Sequence, residues 1–234
     1  SGLAAITEIP EQVSAEAQTI AIDFVLDLLG SVRVQTGNAT GGSNATSSQE
    51  TKHVALSNTA AETTVRAVSN VFESIKPVEA PGKSDTAIKN ASVNATAAAE
   101  EKVKERRRKS ELAKKISSIV DTISTMQLIG AKPGDPPKVI TTPVIDMSSK
   151  RENQTTLLAR PLESNGASFT LPPSGDERLA AHDIIDTQLT RWKRNPYAFA
   201  SDDNVLSDVV GLKLRAGEQV MHLEGISPAI VITL

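Results

Sequence analysis

Gly130-Ala131-Lys132-Pro133-Gly134-Asp135-Pro136-Pro137-Lys138-Val139-Ile140-Thr141-Thr142 is the stretch whose reading decides the fold. Glycine ends a helix by entering left-handed backbone, and proline neither donates its N–H nor tolerates a helical neighbour before it. Two glycines and three prolines therefore stop any helix that enters this stretch. The β-branched run Val139-Ile140-Thr141-Thr142 then opens a strand. Upstream the chain reads as helices, and downstream it reads as short strands. Runs of helices followed by runs of strands imply an α+β chain, not an alternating βαβ one. The boundary falls between Gly130 and Pro137, which divides the chain into a helical part, 1–132, and a strand part, 133–234.

Working upstream, helical spacing predicts a helix over about Ala97 to Ile129, in one piece or two, with Leu112, Ile116, Ile119, Ile123 and Met126 on one face and Gly130 as its stop. Ala61, Val65, Val68, Phe72 and Ile75 form a 4-3-4-3 seam in a second helix, about Gln49 to Ile75. A further helix is expected over about Pro10 to Val32, its apolar face made by Val13, Ala17, Ile20, Phe24 and Leu28. Polar or Pro/Gly-containing loops, Gln35 to Ser48 and Lys76 to Asp85, separate the three.

Working downstream, Val144 to Met147, Thr155 to Leu158 and Ser168 to Leu171 read as strands between turn formers. Pro143 places its neighbours at a sheet edge or a bulge. Leu179 to Leu189 is expected as a short helix or an irregular excursion. Strand patterning resumes in Val205–Leu214, Gln219–Leu223 and Ala229–Leu234. The last run is apolar enough to require burial on both faces. The reading therefore expects its sheet to be completed by sequence beyond Leu234.

Composition narrows the classes. The 234 residues carry a net charge of −3 and a pI near 5.7, which argues against a general nucleic-acid binder. Cysteine is absent, so thiol chemistry, disulfides and cysteine-ligated zinc are excluded within this stretch. No run approaches the roughly 18 apolar residues of a membrane span. Ser1-Gly2-Leu3 opens no basic or signal-like segment, so the chain reads as an internal piece of a larger secreted or membrane-anchored protein.

Asparagine placement speaks to compartment. Asn38, Asn44, Asn90, Asn94 and Asn153 each begin an Asn-x-Ser/Thr acceptor, five of the ten asparagines present. With Ser and Thr at about a fifth of the chain, chance supplies about two. The excess points to an extracellular or lumenal domain.

Catalytic patterns are missing. His53, His182 and His222 lie far apart without metal-ligand spacing. No nucleophile elbow, P-loop or dinucleotide fingerprint occurs. Asp202, Asp203 and Asp208 lack the spacing of a calcium loop and read as solvated turn residues. The run Lys102 to Lys115 holds eight basic residues (Lys102, Lys104, Arg106, Arg107, Arg108, Lys109, Lys114 and Lys115) interleaved with Glu100, Glu101, Glu105 and Glu111. Pairs four apart, Glu105 with Lys109 and Glu111 with Lys115, read as a solvated helix face. Contact with an acidic partner such as a sulfated glycan, a lipid head group or an acidic protein is the alternative. No aromatics interleave, so base stacking is not expected.

Three features together carry a family likeness. A helical part passes through the proline-rich break into Lys138–Met147. Phe169-Thr170-Leu171-Pro172-Pro173 follows. Last come Asn195-Pro196-Tyr197, Val205–Leu214 and a closing apolar strand. This resembles the GAIN domain of polycystin-1-like and receptor-for-egg-jelly-like membrane proteins and of adhesion G-protein-coupled receptors, with the Asn-Pro-aromatic step closest to the polycystin side. The resemblance implies a helical subdomain packed on an antiparallel β-sandwich that ends in a proteolysis motif, where a Ser or Thr hydroxyl after His-Leu is the nucleophile. Here Glu224 follows His222-Leu223, and the flanking cysteines and tryptophan are missing. Self-cleavage by these residues is not expected, and any such motif belongs to sequence beyond Leu234.

The resulting expectation is a non-catalytic extracellular structural or interaction domain, without cofactor, on the outer side of a plasma or ciliary membrane. Its implied partners are other domains or the membrane region of the parent chain, an extracellular protein or glycan and, through the parent, a polycystin-2-like channel subunit. The alternatives are the equivalent domain of an adhesion receptor and a free secreted structural glycoprotein. A hydrolase would require His182 or His222 beside a buried carboxylate and a hydroxyl.

Overall fold

The computed structural model describes residues 13–35, 51–75, 94–164, 166–172, 177–196, 207–217, 219–221 and 230–233. Among the described residues it is an α+β protein of three long helices, two antiparallel sheets of five and three strands and a two-stranded ribbon. Helix α1 spans Ala15–Ser31, α2 Asn58–Ser74 and α3 Asn94–Gln127. Ser14 and Ser57 cap α1 and α2, each hydroxyl accepting from the third residue on, Ala17 N and Ala60 N, at 3.2 Å. Ahead of α2 the chain forms a two-stranded ribbon, β1 Arg33–Gln35 with β2 Thr51–His53, so the second helix begins later than its periodicity implied.

The seams of α2 and α3 are buried as read: Ala61, Val65, Val68, Phe72 and Ile75, and Leu112, Ile116, Ile119, Ile123 and Met126. Helix α3 is a single element of 34 residues. The face expected for α1 is wrong. Ile20, Phe24 and Leu28 are 68%, 54% and 47% exposed, and the buried stripe is Gln18, Ala21, Ile22, Val25 and Leu29. Both stripes of α1 are apolar, so spacing alone does not choose between them. Polar contacts do. Gln18 Nε2 donates to Ser74 Oγ at 3.0 Å and Ser74 O at 3.3 Å, Lys115 pairs with Asp23, and Arg108 reaches Ala15 O at 3.2 Å.

The break is built as a pair of turns. Gly130 and Gly134 take φ of 78° and 89°. Asp135 Oδ2 accepts from Lys132 N at 2.8 Å, and Gly134 N donates to Arg151 O at 3.2 Å. The larger sheet then runs in the order β3 (Lys138–Thr141), β4 (Ile145–Asn153), β7 (Ile184–Trp192), β8 (Val209–Ala216), β9 (Gln219–Val220). Pro143 lies in the two-residue turn after edge strand β3, which Thr142 closes by donating N–H to Ile145 O at 2.9 Å and accepting from Ile145 N at 3.0 Å. The smaller sheet has the order β10 (Val231–Thr233), β6 (Ala167–Thr170), β5 (Leu162–Ser164).

Two downstream expectations are corrected. Thr155 to Leu158 is not a strand but part of α4, Gln154–Ala159, where Leu157 is buried. Burying one leucine outweighs the strand preference of two threonines. Leu179 to Leu189 is mostly the central strand β7, preceded by the single turn α5, Glu177–Ala180. Its buried Asp186, Thr187 and Gln188 hid the strand pattern. Within the strands at the chain's end, residues 205, 206, 222, 223, 229 and 234 fall outside the described residues.

Register shows how the core is divided. Ile145 faces Trp192 across β4 and β7, whereas Glu152, seven residues on, faces Ile185. Side chains alternate along a strand, so Trp192 and Ile185 lie on opposite faces of the sheet. Helices α2 and α3 pack on the first face and α1 packs on them, the three sharing one apolar core with Ile140, Val144, Ile145, Met147 and Trp192. On the second face Ile185 and Leu214 cluster with Leu157, Leu171 and Leu179, against Leu162, Leu212 and Ile230. Strand and helix residues thus meet in a common interior on both sides of the larger sheet.

Candidate functional site

The helical layer is fastened to the sheet at the end of β7. Trp192 meets Phe72 of α2 edge to face, with ring centroids 5.5 Å apart and planes at 68°. Two residues on, Arg194 crosses under the end of α2. Its guanidinium donates to Glu73 O at 3.1 Å and to Ile75 O, and stands 5.9 Å from the centre of the Phe72 ring. The last carbonyls of a helix have no partner within it, so Arg194 satisfies groups that would otherwise need water. Burial lowers its pKa below the ordinary arginine value, with Glu73 opposing that shift; arginine nevertheless keeps its charge. Asn195 and Pro196, which follow, are buried, and Tyr197 lies outside the described residues. On the other side of the same turn Lys193 donates to Thr142 O at 2.9 Å and stands 2.9 Å from Asp146 Oδ1, at ion-pair distance but without hydrogen-bond alignment.

A second fastening joins α3 to β4, β7 and β8. Asp121 accepts from Gln188 Nε2 at 3.0 Å and pairs with Lys213; Thr125 Oγ1 accepts from Arg215 at 2.6 Å. Ser124 and Ser149 hydroxyls meet at 2.6 Å. Further along the same face Arg151 clasps Asp186 with two hydrogen bonds, 2.6 and 2.7 Å, and donates a third to Ala131 O at 3.0 Å, which ties the break to the sheet. Asp186 raises the Arg151 pKa through these hydrogen bonds, against desolvation. The side chains at this interface bond to one another, an arrangement that fixes the register of helix on sheet. None of these residues is legible in the sequence as a set, because Asp121 and Lys213 stand 92 positions apart.

Glu152 is an enclosed carboxylate, 3% exposed between Lys150 and Arg160. Burial works to raise its pKa, but hydrogen bonds from the two cations prevail and hold it below 4.5. Glu105 is held down first by its hydrogen bonds from Arg108. A carboxylate with a depressed folded pKa gives stability that is present above its unfolded pKa and lost as pH falls through the folded value. Urea unfolding midpoints should therefore hold between about pH 7 and 5 and fall below about pH 4.5. Glu152→Gln should cost about 1–3 kcal/mol at neutral pH and flatten that acid limb. An unchanged acid limb would remove Glu152 from this role.

The remaining candidates are placed as follows. Asn153 is exposed at the end of β4, and Asn94 is the first residue of α3; Asn38, Asn44 and Asn90 lie outside the described residues. The basic run does not form one solvated face. Lys109 is buried and 3.4 Å from Glu105, Arg108 reaches α1, and Lys115 pairs with Asp23 of α1, whereas Glu111 takes Arg107 at 3.0 Å in place of Lys115. Lys102, Lys104 and Lys114 are exposed. His182 is exposed and His53 sits in β2; His222, Asp202 and Asp203 lie outside the described residues. Asp208 pairs with Arg191. Among the described residues no group of three or more His, Cys, Asp or Glu could hold a metal ion, and no helix is long and apolar enough to cross a membrane. A cleft of about 480 Å³ opens between the start of α2 and β3, lined by residues including Asn58, Glu62, Gln127 and Lys138. No protein-family model matches the chain, and no curated protein sequence matches it.

Proposed function

We propose that this chain is a non-catalytic extracellular module, GAIN-like in build, that couples the ectodomain of a polycystin-1-like membrane protein to its membrane region. In this reading the two antiparallel sheets form the β-sandwich that the resemblance implies, and their meeting through Ile185, Leu214, Leu162 and Ile230 supports it. The observation that carries the reading is the Arg194 crossing. The Asn-Pro step quoted for the resemblance lies directly beside the residue that clamps α2 to the end of the central strand. A module that passes load or position between its ends needs its layers fastened in this way, by directional polar contacts as well as by apolar burial. The acceptor asparagines support the compartment, and the exposed Asn153 is free to carry a sugar without disturbing the core. Its partners are then the neighbouring domains and membrane region of the parent, a channel subunit held by that parent, and an extracellular protein or glycan.

An antibody raised against this domain should stain the plasma or ciliary surface of unpermeabilised cells of the source organism. Staining that requires permeabilisation overturns the reading.

A further inference from the structure

Asn153 and Ile184 are directly opposed at the last rung of the β4–β7 ladder. Opposed residues point to the same face, with Cβ atoms about 5 Å apart. This is the face that carries the Arg151–Asp186 pair, whose Arg151 holds Ala131 O, but the ladder runs two pairs further and Ile184 is left 45% exposed. Asn153 is also the N-cap of α4, a position at which asparagine normally accepts a hydrogen bond from the first turn, yet its side chain makes no capping bond. Its φ and ψ of −71° and 142° are those of an ordinary cap, so the backbone is in place for a bond that the side chain does not make. Gln154 N, the first helical N–H, donates to Asp183 O at 2.9 Å. An isolated exposed isoleucine is normal on a protein surface. Beside an uncommitted acceptor asparagine it becomes a seat.

We propose that Asn153 carries an N-linked glycan whose first sugar lies across Ile184. The inference rests on the extracellular reading above. In the transfer step Asn153 Nδ2 attacks the anomeric carbon of an oligosaccharide on a polyprenyl diphosphate. The new C–N bond forms as the bond from that carbon to the diphosphate oxygen breaks. The diphosphate leaves with the electron pair, and the amide proton passes to a base of the transferase. No oxidant or reductant enters. Transfer precedes the winding of α4, because Gln154 and Thr155 of the acceptor are helical in the fold. Once α4 has formed, the sugar stands at the sheet's end. Its apolar ring face covers the Ile184 side chain, and its hydroxyls remain in water.

The test expresses the chain behind a signal peptide in eukaryotic cells and maps the secreted protein by peptide mass spectrometry after amidase release, which converts each occupied asparagine to aspartate. Conversion at Asn153 is expected, together with its loss in Thr155→Ala. The unfolding temperature should drop by about 2–4 °C on enzymatic deglycosylation, the scale for a single contact in a chain of this size. In Ile184→Thr the drop should disappear. An unconverted Asn153 beside converted Asn38 or Asn44 overturns this inference and leaves the extracellular reading standing. Five unconverted asparagines overturn both. An occupied Asn153 with the same drop in Ile184→Thr overturns the seat on Ile184.

Discussion

Replacing Phe72 with alanine lowers the unfolding free energy by about 3–5 kcal/mol. Phe72 has no exposed surface, and from α2 it meets two groups at the end of β7: Trp192 in an edge-to-face pair and the Arg194 guanidinium over its ring. Alanine removes the buried ring, leaves a cavity that α2 and the sheet cannot close, and strips Arg194 of its aromatic neighbour. The measurement is urea unfolding followed by circular dichroism, with the midpoint shifted and the slope unchanged. The control is Phe24→Ala on α1. Phe24 belongs to the face that periodicity selects, but it is 54% exposed, so its loss should change stability by no more than about 0.5 kcal/mol. Equal costs at the two positions would mean that the buried face of α1 is assigned wrongly.

Asp186→Ala is the second large effect, a loss of about 2–4 kcal/mol. The cost comes less from the pair itself than from what remains. Arg151 would keep its hydrogen bond to Ala131 O but lose both bonds to carboxylate in a setting where its side chain is mostly covered. Removing both charges together, as Arg151→Met with Asp186→Leu, should recover most of the loss, because an apolar pair of similar volume leaves no uncompensated ion. A double variant as unstable as Asp186→Ala would show that the hydrogen bond to Ala131, not the ion pair, is what the position supplies.

The same residues explain which parts of the fold can be read from the sequence. Helices α2 and α3 are legible because each has one apolar stripe, so periodicity has a single answer. Helix α1 has two such stripes. The choice between them rests on Gln18 reaching Ser74, a contact across 56 positions that no local pattern contains. Strand β7 is hidden for the opposite reason. Its inward residues include Asp186 and Gln188, which are buried only because Arg151 and Asp121 await them. Thr155 to Leu158 misleads because strand preference is a weak force beside the burial of Leu157. Among candidate sites, Asn153 is visible as a three-residue acceptor pattern, since that signal is local. The Arg194 crossing is not, because its targets are backbone carbonyls, which leave no trace in side-chain composition.

Helix α3 looks uniform, but its two ends live under different conditions. Arg108 bonds the carbonyl of Ala15, the first residue of α1, and Gln18 bonds Ser74, the last of α2. Both neighbouring helices therefore stop at this level, and residues 100–104 of α3 continue past them exposed. The ion pairs within the helix begin at this level, Glu105 with Arg108 and Lys109 and Arg107 with Glu111, and exposed pairs of this kind are worth about 0.2–0.5 kcal/mol each. A helical stretch so short and unpacked is marginal in water. Below it, Ile116 to Met126 are locked in the core. One continuous rod thus spans a gradient from near-zero to global opening energy. Amide hydrogen exchange should therefore be faster at residues 100–104 than at residues 116–126, where opening requires the core to open.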